Sequence, residues 1–446
     1  MAADLPAFGF SRKARRTVTQ PINYLLQVAL GREDVISFAV GLVDQESLPA
    51  AEVKDLAEGL LSDEQVGRAS LQYGSTEGLS ELRRAIAEHA AALDGLKPEQ
   101  LGIGPHNVVV SSGSQQLLYI ITDVLVDPGD IVIAEWPGYF VYTGVLASTG
   151  AEVRCVEMDE DGMRIDALAA ALEDIRRAGQ LHRVKVVYTC DYCQNPTGIT
   201  LSRARREQML DVVRAYSTEH RICIIEDAAY RELSVDSPPP PSIKSFDRDN
   251  AQVVLAQTFS KPFAPGLRSG YAVLPDDLIG PVLDQKAVHD FGSSNFAQHL
   301  LLRAMRTGAY AEHVELLRRR YRAKRDAMLS ALAGELGDFE PTATRWTRPG
   351  GGLYVWLTLP EWMDTGKDGA LFAQALREGV VYLPGEFCYG PDRQRRIPTN
   401  HMRLTFGTVC EPAIREGIAR LARAIRKTAD EAGPPRSAPA RQDAER

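Results

Sequence analysis

Cysteine is scarce in this chain: six occur in 446 residues, too few for a disulfide scaffold and in keeping with a reducing compartment. Only Cys190 and Cys193, in "CDYC", have a spacing used by redox or metal sites. Cys155, Cys223, Cys388 and Cys410 supply no second pair in register, so ordinary thiols are expected rather than a zinc site. Long apolar runs are also missing. Nothing approaches the roughly 20 consecutive residues that cross a bilayer, which argues against a membrane protein. The opening "MAADLPAFGFSRKARRTV" carries a basic cluster with no apolar stretch behind it, so a secretory signal does not fit and a cytoplasmic location is expected. Positive charge is in deficit, with 51 basic against 59 acidic residues and a net charge of -8. Sequence-independent nucleic-acid binding wants the opposite balance. No internal repeat is visible.

What is present is an ordinary globular composition, 44% hydrophobic and 25% charged, in a chain long enough for more than one core. Short β-rich runs ("NVVVSS", "DIVIAEW", "EVRCVEM", "VKVVYTC", "ICIIEDA", "QVVLAQT", "GYAVLP") alternate with helical patterns, which predicts an α/β fold with a mainly parallel central sheet and helices on both faces. "VKVVYTC" and "ICIIEDA" are nearly continuous in apolar residues and belong in the middle of that sheet, where both faces are covered. After the long helical pattern "AEHVELLRRRYRAKRDAMLSALAGEL" the rhythm restarts with "GGLYVWLTLP", "GALFAQALREG", "VVYLPG" and "HMRLTFG", a smaller α+β unit. The expected division is an N-terminal arm over 1–50 that contributes to the small domain and the site, a large domain over 51–320, a small domain over 321–430 and a disordered tail over 431–446. "SPPPPS" reads as a stiff surface connection.

In open α/β sheets ligands bind beyond the carboxyl ends of the strands, and three such places carry chemistry. "VVVSSGSQQ" turns from strand to helix through small polar residues. Ser112 and Ser114 there suit either an anion at the helix N-terminus or plain N-caps. "ICIIEDAAY" ends on Asp227, whose carboxylate needs either a structural ion pair or a cationic ligand nitrogen, and brings Tyr230 nearby. "TFSKPFAPGLRSGY" sets Lys261 in a small-residue turn after an apolar strand, where a desolvated amine can attack a carbonyl, with Arg268 as a fixed fork for phosphate.

A phosphate-type turn, a strand-end aspartate and a lysine followed by an arginine, in that order, are the parts of a pyridoxal phosphate site. The sequence resembles the class I/II aminotransferases of fold type I, especially their aminoadipate and aromatic branch, from about residue 33 to 425. "LQYGSTEGLSELR", "SSGSQQ", "VDPGD", "QNPTG", "EDAAY", "TFSKPFAPGLRSGY", "PGGGLYVWL" and "MRLTFG" stand in the family's order. The resemblance implies that Lys261 forms the Schiff base and shuttles the proton, while Asp227 holds the pyridine nitrogen protonated. It implies that Tyr230 and Asn195 donate to the ring's phenolic oxygen and Tyr139 stacks on the ring. Ser114, Gln115, Ser260 and Arg268, with Thr258 beside them, would hold the phosphate. Arg403 would clamp the substrate α-carboxylate, assisted by the backbone amide of Gly41. Tyr73 would reach the cofactor of a neighbouring subunit, which implies a homodimer.

The expected reaction is transamination between an L-amino acid and a 2-oxo acid. A β-eliminating carbon-sulfur lyase or a decarboxylation-coupled oxidative deaminase is the alternative, because departures cluster on the substrate side. Asp191, Tyr192 and Cys193 stand before "QNPTG", Leu42 and Val43 follow Gly41 in place of a glycine-proline turn, and Ser75 replaces a proline. A regulator with the same ligand domain is not expected, since the segment before Gly41 is too short for a winged-helix reader. A dead binding protein is not expected either, with Lys261 and Asp227 both present.

Overall fold

A computed structural model describes residues 8–17, 34–340 and 342–432. Much of the expected arm, and the expected tail beyond Ala432, lie outside the described residues.

Every β-rich run noted above forms a strand of one eight-stranded sheet. Its order is Val108–Ser111, Gly270–Val273, Val253–Thr258, Cys223–Asp227, Val184–Thr189, Ile131–Trp136, Glu152–Asp159, Gly162–Met163. Gly270–Val273 runs antiparallel to both of its neighbours and Gly162–Met163 to its one; the other pairings are parallel. The sheet is therefore mixed. Its two most continuously apolar strands, Val184–Thr189 and Cys223–Asp227, lie side by side at its centre and are buried except at Lys185, because helices cover both faces there.

The later segments build a four-stranded antiparallel sheet in the order Arg345–Trp346, Tyr354–Thr358, His401–Thr405, Leu383–Pro384. The strand Ile36–Ser37 reaches across to pair in parallel with Val380–Val381. Between the sheets runs the 28-residue helix Ala309–Leu336, about 42 Å long at 1.5 Å per residue. Residue 320, where a division was expected, falls inside this single helix. The helix also anchors the segment ahead of the large domain: Arg320 and Lys324 bond the two carboxylate oxygens of buried Asp44 at 2.6 and 2.8 Å. That pins the stretch Gly41–Asp44 against the site.

Candidate active site

The carboxyl ends of the parallel strands converge on one edge of the large sheet. Ser111 leads to Gly113 and Ser114, Trp136 to Tyr139, Thr189 to Asn195, Cys223–Ile225 to Asp227 and Val253–Thr258 to Ser260 and Lys261. Arg268 precedes the antiparallel strand Gly270–Val273 and so arrives at the same edge. Together they line a cavity of about 270 Å³ that takes in Ser114, Gln115, Tyr139, Asn195, Asp227, Tyr230, Thr258, Ser260, Lys261 and Arg268.

One wall suits an anion. Helix Ser114–Leu125 begins at the cavity with Gly113 as its cap, at φ +87°. A Cβ at Gly113 would lie 2.9 Å from Arg268 Nη2 and one at Gly270 2.5 Å from the Ser114 amide nitrogen, so both glycines let backbone and guanidinium close up. Arg268 Nη1 approaches Ser260 Oγ at 3.4 Å, and Gln115 Oε1 is buried with no partner among the described residues. Ser114 makes no capping bond, so the plain N-cap reading is not what the chain adopts. Free helix amides, their dipole and a guanidinium together favour a phosphate.

The cavity also holds Asp227, which has no cationic partner among the described residues. Its Oδ2 accepts from the Tyr188 hydroxyl at 2.9 Å, while Oδ1 is buried without a partner. Burial pushes the carboxyl up to about 6 from its ordinary 3.8, against the pull of the Tyr188 hydrogen bond. A raised value means that the proton stabilises the cofactor-free fold: this contribution is complete below pH 3.8 and is lost as the pH rises through 6. Cofactor-free Asp227→Asn is therefore expected to exceed cofactor-free wild type in stability at pH 7.5 by about 3 kcal/mol, with the difference closing below pH 4, at about 1.4 kcal/mol per pKa unit. Denaturant titration at both pH values measures it; equal stability at pH 7.5 would contradict the picture of an uncompensated buried carboxylate.

A polar chain links Lys261 to Arg403. Lys261 Nζ donates to the Gly41 carbonyl at 3.1 Å and stands 6.0 Å from the Tyr230 ring centre. The Tyr230 and Tyr354 hydroxyls meet at 3.0 Å, and the Tyr354 ring lies 4.3 Å beneath the Arg403 guanidinium. Arg403 is buried rather than in a surface ion pair: Nη1 donates to Asn195 Oδ1 at 2.8 Å, Nη2 to the Ala39 carbonyl at 2.6 Å, and Nε has no partner. Gly41 is packed so closely that a Cβ would collide with the Tyr354 hydroxyl. It meets the site through its carbonyl, which accepts from Lys261.

Tyr73 does not line the cavity. It is 82% exposed and packs edge-on to Phe291, itself 59% exposed. Asp191 and Tyr192 also stay clear of the cavity, inside a buried charge cluster in which Arg206 pairs with Asp191 and Glu226 and stacks 4.0 Å over the Tyr192 ring. Burial raises both carboxyls, Asp191 to about 6. Cys193 is wedged against Gly352, where a Cβ would stand 2.5 Å from its own. Of the residues that sequence motifs marked as unusual, Leu42 borders the cavity. Tyr188 and Tyr354 were not singled out from sequence. The tyrosine in "VKVVYTC", last but one in its strand, and the one opening "YVWL" were the available signals.

The donors fit pyridoxal phosphate: an unpartnered buried carboxylate oxygen for a ring nitrogen, a lysine amine within the same cavity, and an amide-and-guanidinium cradle for phosphate. The aminotransferase class I and II family model matches residues 33–421. Aromatic-amino-acid aminotransferase 1 of Thermococcus litoralis is 34% identical over 94% of each chain. The 2-aminoadipate transaminase of Thermus thermophilus is 32% identical over 94% of this chain and 96% of its own. The crystal structure of Pyrococcus horikoshii kynurenine aminotransferase in complex with PMP superposes with a TM-score of 0.84 at 32% identity, covering 94% of this chain and 97% of the other. These relatives favour transamination over the eliminating and decarboxylating outcomes that the motifs left open. No helix among the described residues is long and apolar enough to cross a membrane. The chain belongs to the class I and II aminotransferase family and is a pyridoxal phosphate-dependent aminotransferase with a fold type I architecture.

Proposed function

We propose that Lys261 is the catalytic amine, carrying the cofactor and then moving a proton between the substrate α-carbon and C4′. The observation that supports this is the convergence on one cavity of Lys261, the unpartnered Asp227 Oδ1 and Asn195, which is bonded to Arg403. Bound pyridoxal phosphate supplies an electron-withdrawing ring that stabilises charge developed at the α-carbon. Asp227 would give up its desolvation penalty by pairing with a protonated ring nitrogen. Tyr230 and Asn195 would donate to the phenolic oxygen, Tyr139 would pack against the ring, and Ser114, Gln115, Thr258, Ser260 and Arg268 would hold the phosphate. Arg403 would bind the substrate α-carboxylate and so orient the α-carbon for loss of its proton.

The donor is an L-amino acid with a large side chain, a reading supported by relatives named for aromatic amino acids, 2-aminoadipate and kynurenine. A visible absorbance scan of the purified enzyme against a panel of amino acids tests this. Conversion of the bound cofactor to its pyridoxamine form with release of the matching 2-oxo acid is the expected result. Unchanged cofactor with pyruvate, a thiol, carbon dioxide or an aldehyde in the products would overturn it.

The working unit is a homodimer. Leu71, Tyr73, Val288 and Phe291 are all large apolar side chains more than half exposed, and an apolar surface of that kind marks an interface. Tyr73 then reaches the phosphate in the partner's site. Tyr73→Phe is expected to raise the cofactor dissociation constant about 10- to 100-fold, the worth of a hydrogen bond to a charged group. Fluorescence titration of the cofactor-free dimer reads it, and an unchanged constant would remove Tyr73 from the site. The division into an arm to residue 50, a large domain to about 320 and a small domain to about 430 follows the two sheets and leaves Ala309–Leu336 as a shared helix. Six free thiols, five of them buried, support a cytoplasmic setting.

A further inference from the structure

We propose that a second cavity, separate from the cofactor site, binds a small aromatic carboxylate. It has a volume of about 1130 Å³ and shares no lining residue with the cofactor cavity, ample room for a small-molecule ligand. Its lining is joined through the chain to residues of the catalytic site. Thr197–Thr200, which continue the loop bearing Asn195, line it, as do Trp136, ahead of Tyr139, and His401, two residues before Arg403 on the same strand.

The lining is aromatic to an unusual degree for this chain. Three of its four tryptophans, Trp136, Trp346 and Trp356, are there with Tyr389 and His401. They are already arranged as stacking surfaces: Trp136 and Tyr389 have ring centres 4.6 Å apart, and Trp356 and His401 stack at 5.5 Å. Flat rings disposed this way accept a further flat ring at offset-stacked or edge-on geometry.

The charges point to an anion. Arg345 and Arg348 line the cavity and have no ion-pair partner among the described residues. The neighbouring charges are already answered: Arg164 by Glu157 and Asp166, Glu157 also by Arg395, and Asp159 by Arg205. Two unpaired guanidiniums therefore stand against one exposed acid, Glu160. Guanidinium forks match a carboxylate in shape as well as charge. His401 adds a polar contact. Its Nδ1 meets the Tyr389 hydroxyl at 2.9 Å, and its Nε2 has no hydrogen-bond partner among the described residues. Burial and nearby Arg345 lower its pKa to about 4, so near pH 7 it serves as a neutral hydrogen-bonding group.

Indole-3-acetate is a suitable probe, because it has neither an amino nor a 2-oxo group to react. Titrated into the holoenzyme in a calorimeter, it is expected to give a saturable heat of binding. The binding should persist in Arg403→Ala and weaken about tenfold or more in the double variant Arg345→Ala/Arg348→Ala, whose kcat/KM for amino donors stays at the wild-type value. With wild-type protein, 3-methylindole, which has the ring without the carboxylate, is expected to bind about tenfold or more weakly. Absence of saturable binding up to about 10 mM would overturn the proposal. So would loss of binding in Arg403→Ala with retention in the double variant, which would assign the probe to the substrate site. Equal binding of 3-methylindole would overturn the anion preference.

Discussion

Lys261→Ala is expected to lower kcat/KM for any amino donor by about 10⁴- to 10⁶-fold, the scale seen when a catalytic nucleophile that also handles the proton is removed. The reason is positional. Lys261 follows the buried strand Val253–Thr258, so its backbone is fixed by a sheet edge, and its Nζ is held inside the cavity by the Gly41 carbonyl at 3.1 Å. The Tyr230 and Tyr354 phenols bond each other, and burial keeps Tyr230 protonated, so Tyr230 cannot replace the amine. Because Lys261 is half-buried and its one hydrogen bond is to a backbone carbonyl, the variant should fold. The checks are a steady-state assay and the visible spectrum, in which the absorbance of the lysine-linked cofactor disappears. Turnover within tenfold of wild type would sink the assignment.

Arg403→Ala is expected to raise KM for every α-carboxylate substrate, at a cost of about 2 to 5 kcal/mol, the range for removing one member of a buried hydrogen-bonded charge pair. Arg403→Lys should recover little of it. Arg403 spans from Asn195 Oδ1 to the Ala39 carbonyl while lying flat on Tyr354, and an ammonium has neither the fork nor the flat face to do both. Since those two acceptors would be left without a donor, some loss of stability accompanies the alanine variant at about 1 to 3 kcal/mol. A comparison with amine substrates lacking the carboxylate separates the two effects: the wild-type advantage should collapse for them if Arg403 is the clamp. An unchanged KM for amino acids would refute it.

The legibility of the site in sequence was uneven for a physical reason. Lys261, Asp227, Arg268 and the Ser114 turn were readable because each sits at the end of an apolar run, and chain direction alone puts the ends of parallel strands on one edge. Tyr188 was not readable as the partner of Asp227, because that contact depends on the register of two neighbouring strands, which sets Tyr188 opposite Ile225. Asp191 and Tyr192 looked like part of the substrate surroundings because of their place before "QNPTG". The fold instead turns them into the charge cluster with Arg206 and Arg231, since a buried carboxylate and guanidinium are far less costly together than apart. Gly41, whose amide the family motif marks for the substrate carboxylate, turns its carbonyl to Lys261, a contact that no local pattern specifies.

Local apolar patterning and the order of short motifs were enough to mark the strands, to place Val184–Thr189 and Cys223–Asp227 at the centre of the large sheet, and to point to the family, the cofactor and the residues at strand ends. Only the tertiary structure decided what those residues touch. It left Asp227 with one unpartnered oxygen, stacked Arg403 on Tyr354, exposed Tyr73 and gathered three distant tryptophans around a second cavity. Such contacts join positions from tens to hundreds of residues apart, and no local preference specifies them; they exist because burial forces each polar group to find whichever partner the packed core brings within reach.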